Sequence, residues 1–197
     1  MKFSLATAIS SSVLLLASLL STATAEPSGV DKDDMPEFPV KAIAMFRNNA
    51  TVAGTVLFSQ ESINSPTEIF ANITGLDANT EHGLHIHELG DLIEGCASLG
   101  AHYNPFNTTH GAPDAADDKH HAGDFGNVVA DANGMAILNL KMKTVQLVGP
   151  HSVIGRGIVL HSGKDDLGLG DSPLSLTTGN SGDRLACGVI GRAASDA

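Results

Sequence analysis

Residues 52 to 58 read Val-Ala-Gly-Thr-Val-Leu-Phe, with small or apolar side chains at every second position. Successive side chains of a β-strand point to opposite faces, so this alternation predicts a strand with one buried and one solvated face. The same period recurs in three other short runs, at 40–46, 69–73 and 136–140. Further strands are expected at 83–87, 127–131, 157–161 and 186–191. Because no amphipathic helix pattern appears, about eight short strands predict an all-β, antiparallel sandwich or flattened barrel.

Two long segments interrupt this regular spacing of strands. Residues 88–126 are rich in Gly, His, Asn and Pro, and residues 162–183 are rich in Gly, Ser and Thr. Loops of this length are uncommon in compact domains unless they are functional or disordered. We therefore expect the function to lie on these two loops.

The N-terminus has the pattern of a secretory signal peptide over residues 1–25. Lys2 precedes a short apolar run, and the small residues Ala23-Thr24-Ala25 form a cleavage site. A membrane anchor is the alternative, but the apolar run is short and interrupted by serines. Residues 26–39 are Pro-rich and acidic and predict a flexible lead-in, which leaves a single domain at 40–194. The mature protein is expected to be secreted, soluble and extracellular.

Charge and cysteine content narrow the class of protein further. The chain has 11 basic and 22 acidic residues and a net charge of -11, which disfavours nucleic acid and anionic membranes as partners. Cys96 and Cys187 are the only cysteines, and in an exported chain such a pair most simply forms a disulfide. A thiolate metal ligand is the alternative.

Three sequons for N-glycosylation begin at Asn49, Asn72 and Asn107, and a eukaryotic secretory route could use them to make a glycoprotein. Asn72 is the best placed of the three. Its neighbours Ala71 and Ile73 belong to the apolar alternation, so the side chain of Asn72 is expected on the solvated face.

Candidate metal ligands are concentrated around the first long loop. His85 and His87 alternate in a predicted strand, so they leave the same face about 6.5 Å apart, close enough to bind one ion. The other candidates lie further along the chain and require a fold that brings them back: His102, His110, His121, Asp124 and His161. Together they could form two adjoining metal sites.

The segment 82–88, followed by Gly95-Cys96 and Asn104-Pro105, resembles the copper/zinc superoxide dismutase family. Further segments similar to that family are 121–127, 153–156, 159–161, 165–168 and 179–191. The resemblance covers nearly the whole chain from about Val40. It implies an eight-stranded antiparallel Greek-key β-barrel or sandwich with two long functional loops.

The resemblance also implies one copper and one zinc ion per subunit. It assigns copper to His85, His87, His102 and His161. It assigns zinc to His102, His110, His121 and Asp124, so that His102 bridges both ions. Nitrogen-rich ligation suits a redox-cycling copper, and three histidines with a carboxylate suit a tetrahedral structural zinc.

Residues around the metals are implied in the same way. Asp165 matches a carboxylate that links His85 to His110, although the sequence alone also allows a surface acid. Arg184 matches the arginine that guides the anionic substrate, and a surface arginine paired with Asp183 is the alternative.

The remaining histidines are expected to bind no metal. His82 matches a position that packs beneath the site, His120 is expected in solvent, and His151 is expected to be structural.

The second loop departs from the family pattern, because two glutamates and a lysine found in many relatives are missing from 169–177. This predicts a weak dependence of rate on salt, with Arg184 as the main attractor of the anion and Lys164 as a helper.

The implied activity is that of an antioxidant oxidoreductase that converts superoxide to dioxygen and hydrogen peroxide. A secreted copper-binding or copper-delivery protein on the same fold is the alternative, and it predicts loss of the bridge, a zinc ligand or Arg184. None is lost. A zinc hydrolase is disfavoured, because four protein ligands leave no open position on zinc. A homodimer is implied by segments that resemble the family's dimer contact: 90–91, 154–155 and 188–191.

Overall fold

The fold is that of a computed structural model, which describes residues 36–46 and 51–194. Within these residues the chain forms nine β-strands and two short helical turns. The strands are β1 Val40–Phe46, β2 Ala53–Gln60, β3 Thr67–Thr74, β4 Glu81–His87, β5 Asp124–Val129, β6 Ala136–Met142, β7 Gly157–His161, β8 Arg184–Val189 and β9 Gly191–Arg192. A 3-10 helix covers Gly95–Leu99, and α1 covers Ser175–Thr178. The predicted signal peptide, most of the predicted lead-in and Asn49 lie outside the described residues.

The strands form two antiparallel sheets that enclose one apolar core. One sheet has the order β6-β3-β2-β1-β9, and the other has the order β5-β4-β7-β8. Phe58 and Phe125 meet between them, with ring centroids 6.4 Å apart. The predicted all-β antiparallel fold with two long loops is confirmed. One detail differs, because the strand predicted at 186–191 is divided: β8 ends at Val189, and Gly191 pairs with Ile43 of the other sheet.

The five-stranded sheet follows the alternation of the sequence. In β3, Ile69, Ala71 and Ile73 are buried, whereas the residues between them are exposed. The turn at residues 131–134 connects β5 of the four-stranded sheet to β6 of the five-stranded sheet, and the amide of Gly134 donates to the carbonyl of Asp131 at 3.0 Å. This sheet therefore packs one face on the core and leaves the other in solvent.

The four-stranded sheet is buried on both faces of its central strands. Leu84, Ile86 and Leu160 point into the apolar core. The intervening residues His85, His87 and His161 are also buried, although they leave the opposite face. The two long loops return across that face and cover it.

The first loop is fastened to this sheet at several points. Cys96 and Cys187 form a disulfide that joins the 3-10 helix to β8, with Cα atoms 5.7 Å apart, so the alternative of a thiolate metal ligand is wrong. The amide of Tyr103 donates to the carbonyl of Ile86 at 2.8 Å, which returns the loop to β4. Within the described part of the chain, no helix has the length and apolar character needed to cross a membrane.

Candidate metal centre

All seven predicted ligands converge on the covered face of the four-stranded sheet. His85 and His87 project from β4, His161 ends β7, and Asp124 begins β5. His102 forms an isolated bridge with His87 on the returning loop. Potential ligand atoms lie within 4.8 Å of one another in two groups: His85, His102, His110 and Asp124, and His87, His102 and His161. His102 belongs to both groups.

The carboxylate of Asp124 is surrounded by three imidazoles. The Nδ1 atoms of His102 and His121 each lie 3.2 Å from Oδ1, and Nδ1 of His110 lies 3.0 Å from Oδ2. All four side chains are buried. Three imidazole nitrogens around one carboxylate form the donor set that tetrahedral zinc prefers.

Four other ring nitrogens meet on the opposite side of His102. His87 and His161 use Nδ1 to contact the carbonyls of Gly100 at 2.9 Å and Gly182 at 3.2 Å, which directs both Nε2 atoms inward, 3.4 Å apart. Nδ1 of His85 and Nε2 of His102 are buried and have no hydrogen-bond partner in the described part of the chain. An unsatisfied buried polar atom costs about 1–3 kcal/mol. A copper ion fits this nitrogen-rich group and would satisfy both atoms.

Asp165 connects a predicted copper ligand, His85, to a predicted zinc ligand, His110. Its carboxylate oxygens lie 2.8 Å from Nε2 of His85 and 2.8 Å from Nε2 of His110. Gly179 makes room for this contact, since a Cβ added there would lie 2.0 Å from the Asp165 carboxylate. The carboxylate thus lies in the linking position expected for Asp165 rather than on the surface.

The backbone of Asp165 is held by a residue that the sequence analysis missed. The side-chain amide of Asn127 donates from Nδ2 to the backbone carbonyl of Asp165 at 2.9 Å. The backbone N–H of Asp165 donates in return to Oδ1 of Asn127 at 2.7 Å. The available signal was the place of Asn127 in the 121–127 motif, three residues after Asp124. The asparagine fixes Asp165 in position.

Burial sets the protonation of the imidazoles. Burial, together with the charge of His102, lowers the pKa of His85 to about 3. Burial also lowers the pKa of His161 to about 4. Neutral imidazoles are the form that binds a metal, so these side chains are ready to do so at neutral pH.

The groups around the two aspartates behave differently. Burial acts to lower the pKa of His110, but its contacts with Asp124 and Asp165 outweigh burial and raise that pKa to about 9. Burial acts to raise the pKa of Asp124, yet the surrounding imidazoles hold it well below its usual range. The carboxylate is therefore ionised, as a metal ligand must be.

Arg184 lies beside the predicted copper ligands. Its guanidinium donates to three backbone carbonyls, those of Cys96, Ala97 and Gly100. Burial is the largest cause that lowers the pKa values of His87 and His161, and the charge of Arg184 is a smaller cause that lowers both. Among the described residues it forms no ion pair with Asp183. The alternative of a surface pair is therefore not observed.

One expectation about a nearby histidine needs correction, and one about a nearby lysine stays a prediction. His120 was expected in solvent, but it is 2% exposed and its Nδ1 lies 2.7 Å from the carbonyl of His121. Its own carbonyl accepts a hydrogen bond from Thr108, which holds the segment against the loop. Lys164 was expected to help attract the substrate, but its Nζ lies 2.9 Å from a carboxylate oxygen of Glu81. That exposed ion pair weakens the field of Lys164, and its role as a helper stays a prediction.

The other two histidines lie outside the two groups. Nδ1 of His82 is 2.9 Å from the carbonyl of His161, so this side chain packs beneath the site as expected. His151 contacts Phe106, with ring centroids 5.1 Å apart.

The chain is similar in sequence to known proteins over most of its length. A family model described as "Copper/zinc superoxide dismutase (SODC)" matches residues 52–190. Proteins named as Cu-Zn superoxide dismutases are 55% identical in Claviceps purpurea, 53% in Talaromyces marneffei and 51% in Saccharomyces cerevisiae. Each match spans 152 residues, which is 77% of this chain and 97% of the relative.

Proposed function

This chain belongs to the copper/zinc superoxide dismutase family, and from that premise we propose that it removes superoxide outside the cell. It is an oxidoreductase whose cofactors are copper and zinc and whose substrate is superoxide. Two superoxide ions and two protons give one dioxygen and one hydrogen peroxide. The proposal adds the ligand assignment, the role of Arg184 and the extracellular setting.

The position of His102 is the observation that supports the ligand assignment most strongly. Its Nδ1 faces Asp124 at 3.2 Å, and its Nε2 is buried without a hydrogen-bond partner among the described residues. One imidazole thus offers a nitrogen to each group. We assign copper to His85, His87, His102 and His161. We assign zinc to His102, His110, His121 and Asp124.

When bound, copper supplies reversible one-electron chemistry, and zinc supplies a fixed positive charge without redox chemistry. The chain's own residues do the rest. Asp165 orients His85 and His110 through their Nε2 atoms, and Asn127 fixes Asp165. Nε2 of His102 is placed to hold a proton when no metal is bound to it. Arg184 presents a permanent cation to an approaching anion, because three carbonyls hold its guanidinium in one orientation.

The extracellular setting rests on the signal-peptide pattern of residues 1–25 and agrees with the disulfide. Export would make this an antioxidant enzyme of the cell exterior. A secreted copper carrier on the same fold remains the second candidate function, and the complete ligand set together with Arg184 favours the enzyme.

A homodimer is proposed from three segments that lie together at one edge. The amide of Gly155 donates to the carbonyl of Ile190 at 2.8 Å, and a Cβ added to Gly90 would lie 2.0 Å from the carbonyl of Gly155. Leu89 and Val189 are exposed beside them, and Ile93 is 90% exposed. Sedimentation of the loaded protein distinguishes a dimer from a monomer.

The enzymatic proposal is tested by stopped-flow decay of superoxide. The copper- and zinc-loaded protein is compared with metal-free protein, with His87→Ala and with His151→Ala, a matched control outside the site. We expect fast decay in the loaded protein and control, and a loss of more than about 100-fold in His87→Ala. Loaded protein that binds both metals but does not exceed metal-free protein would favour the copper carrier.

A further inference from the structure

The segment Phe70-Ala71-Asn72-Ile73-Thr74 forms the second half of β3 and contains a complete glycosylation sequon. Phe70 and Asn72 are two residues apart in a strand, so their side chains leave the same face of the sheet. Both are exposed on the outer face of the five-stranded sheet. The sequence thus places an aromatic ring beside a potential attachment point for a glycan.

This outer face carries several exposed apolar side chains among its polar ones. Leu57 is 42% exposed, Phe70 is 37% exposed and Ile137 is 52% exposed. Phe70 pairs with Leu57 on one side, and Asn72 pairs with Ile137 on the other side of its strand. A groove of about 720 Å³ crosses this sheet from Asn139 past Phe70 and Leu57 to Ile43. Large exposed apolar faces usually mark a surface that something covers.

We propose that Asn72 carries an N-linked glycan and that its first N-acetylglucosamine packs on the ring of Phe70. Residues two apart in a strand are separated by about 6.5–7 Å, a gap that an asparagine side chain and one sugar ring can span. The C–H face of a pyranose carries partial positive charge and suits the negative face of an aromatic ring. Ile137 offers an apolar contact on the other side of Asn72.

The attachment follows ordinary glycosyl-transfer chemistry and rests on the proposed export through a eukaryotic secretory pathway. The donor is an oligosaccharide linked through pyrophosphate to a polyprenol. The amide nitrogen of Asn72 forms a bond with the anomeric carbon, the bond from that carbon to the pyrophosphate oxygen breaks, and the nitrogen loses one proton. No electrons are exchanged with a redox partner. Transfer precedes folding, before the hydroxyl of Thr74 donates to the carbonyl of Ala53 at 3.3 Å.

The sequon at Asn107 provides a contrast within the same chain. Asn107 is exposed on the first loop, with a positive φ of 54°. The residue two positions earlier is Pro105 rather than an aromatic residue, and the ring of Phe106 contacts His151. A glycan at Asn107 would lack the platform that Phe70 offers to Asn72.

The first test is peptide mapping by mass spectrometry of the full chain secreted from a yeast. A host signal is placed before Met1, so the result does not depend on the chain's own leader. We expect hexose-rich glycan on the Asn72 peptide and its loss in Thr74→Val, whereas Asn107→Gln leaves it in place. An unmodified Asn72 peptide in the secreted protein would overturn the proposal. Superoxide decay measured on the same material separates this failure from a failure of the proposed enzyme.

The second test concerns the contact with Phe70. An endoglycosidase trims the loaded protein to a single sugar at each site, and the melting temperature is compared with that of Thr74→Val. The same pair made in bacteria, which do not perform this transfer, gives the baseline for Thr74→Val itself. We expect the single sugar at Asn72 to raise the melting temperature by about 2–4 °C above that baseline. In a Phe70→Val background the rise should disappear, and an equal rise there would overturn the packing on Phe70.

Discussion

The five-stranded sheet leaves its outer face in solvent, whereas the outer face of the four-stranded sheet lies under two long loops. Both sheets begin from strands with one face on the core. In β3 the second face carries exposed residues such as Asn72, and in β4 it carries the buried His85 and His87. The two outer faces differ because the loops exclude water from the face of the four-stranded sheet and leave that of the five-stranded sheet in solvent.

Exclusion of water changes what the polar side chains can do. A histidine on an open face would titrate near its usual pKa, whereas burial lowers the pKa of His85 to about 3. The covered face thus keeps the imidazoles of His85 and His102 neutral, and Nδ1 of His85 and Nε2 of His102 have no hydrogen-bond partner among the described residues. The cover converts one side of a sheet into a metal site.

The largest expected effect comes from removing the disulfide that holds the first loop over the four-stranded sheet. The disulfide joins residues separated by 91 positions, and opening it in a Cys96→Ala and Cys187→Ala double variant should lower the free energy of unfolding of metal-free protein by about 4 kcal/mol. Activity of the loaded protein should also fall, because the carbonyl of Cys96 holds Arg184. Urea unfolding measures the first effect, and a loss below about 1 kcal/mol would show that the loop is held without the disulfide.

The two faces of the sandwich should also respond differently to truncation of apolar side chains. Leu84 is fully buried in β4, so Leu84→Ala should cost about 2–5 kcal/mol of unfolding free energy. Ile137 is 52% exposed on the outer face of the other sheet, so Ile137→Ala should cost less than about 1 kcal/mol. Similar losses in the two variants would contradict the assignment of an open and a packed face.

A smaller effect is expected from the residue that fixes Asp165. Asn127→Leu removes both hydrogen bonds to the backbone of Asp165 and should weaken zinc binding by about 10–100-fold. Asn139→Leu, on the exposed face of β6, is the matched control and should leave zinc binding unchanged. Competition with a chelator of known affinity measures both variants. Unchanged zinc affinity in Asn127→Leu would show that Asp165 is held by other contacts.

The smallest effect concerns the charge of the second loop. Leu169 is 84% exposed and Leu174 is 53% exposed on a loop whose only charged residue between 169 and 177 is Asp171, so the rate should change by less than about twofold between 10 and 150 mM salt. Leu174→Lys should raise the rate at low salt and make it salt-dependent. Ile137→Lys adds the same charge on the far sheet and should change neither. A steep salt dependence of the unaltered protein would contradict the prediction.

Much of the fold could be predicted because its signal is local. The alternation in 69–73 depends on neighbours in sequence, and it is present in the structure. The division between β8 and β9 was not predicted, because Gly191 leaves its strand to pair with Ile43 far along the chain. Tertiary pairing of this kind has no local signature.

The residues of the site also fall into those that the local sequence predicts and those that depend on distant contacts. The pairing of His85 with His87 follows from strand geometry, whereas the other ligand positions came from the family resemblance. His120 was placed in solvent because its burial depends on Thr108, a contact across the loop. Asn127 was missed because a residue that fixes another by its backbone has no pattern of its own. The sequence could predict the chemistry of the ligands better than the contacts that orient them.

The most direct test of the covered face as a two-metal site is anomalous diffraction at the copper and zinc edges from crystals of loaded protein. We expect a copper peak within bonding distance of His85, His87, His102 and His161. We expect a zinc peak about 2.0–2.2 Å from His102, His110, His121 and Asp124. Either metal bound elsewhere, or both metals on the same side of His102, would contradict the proposed site.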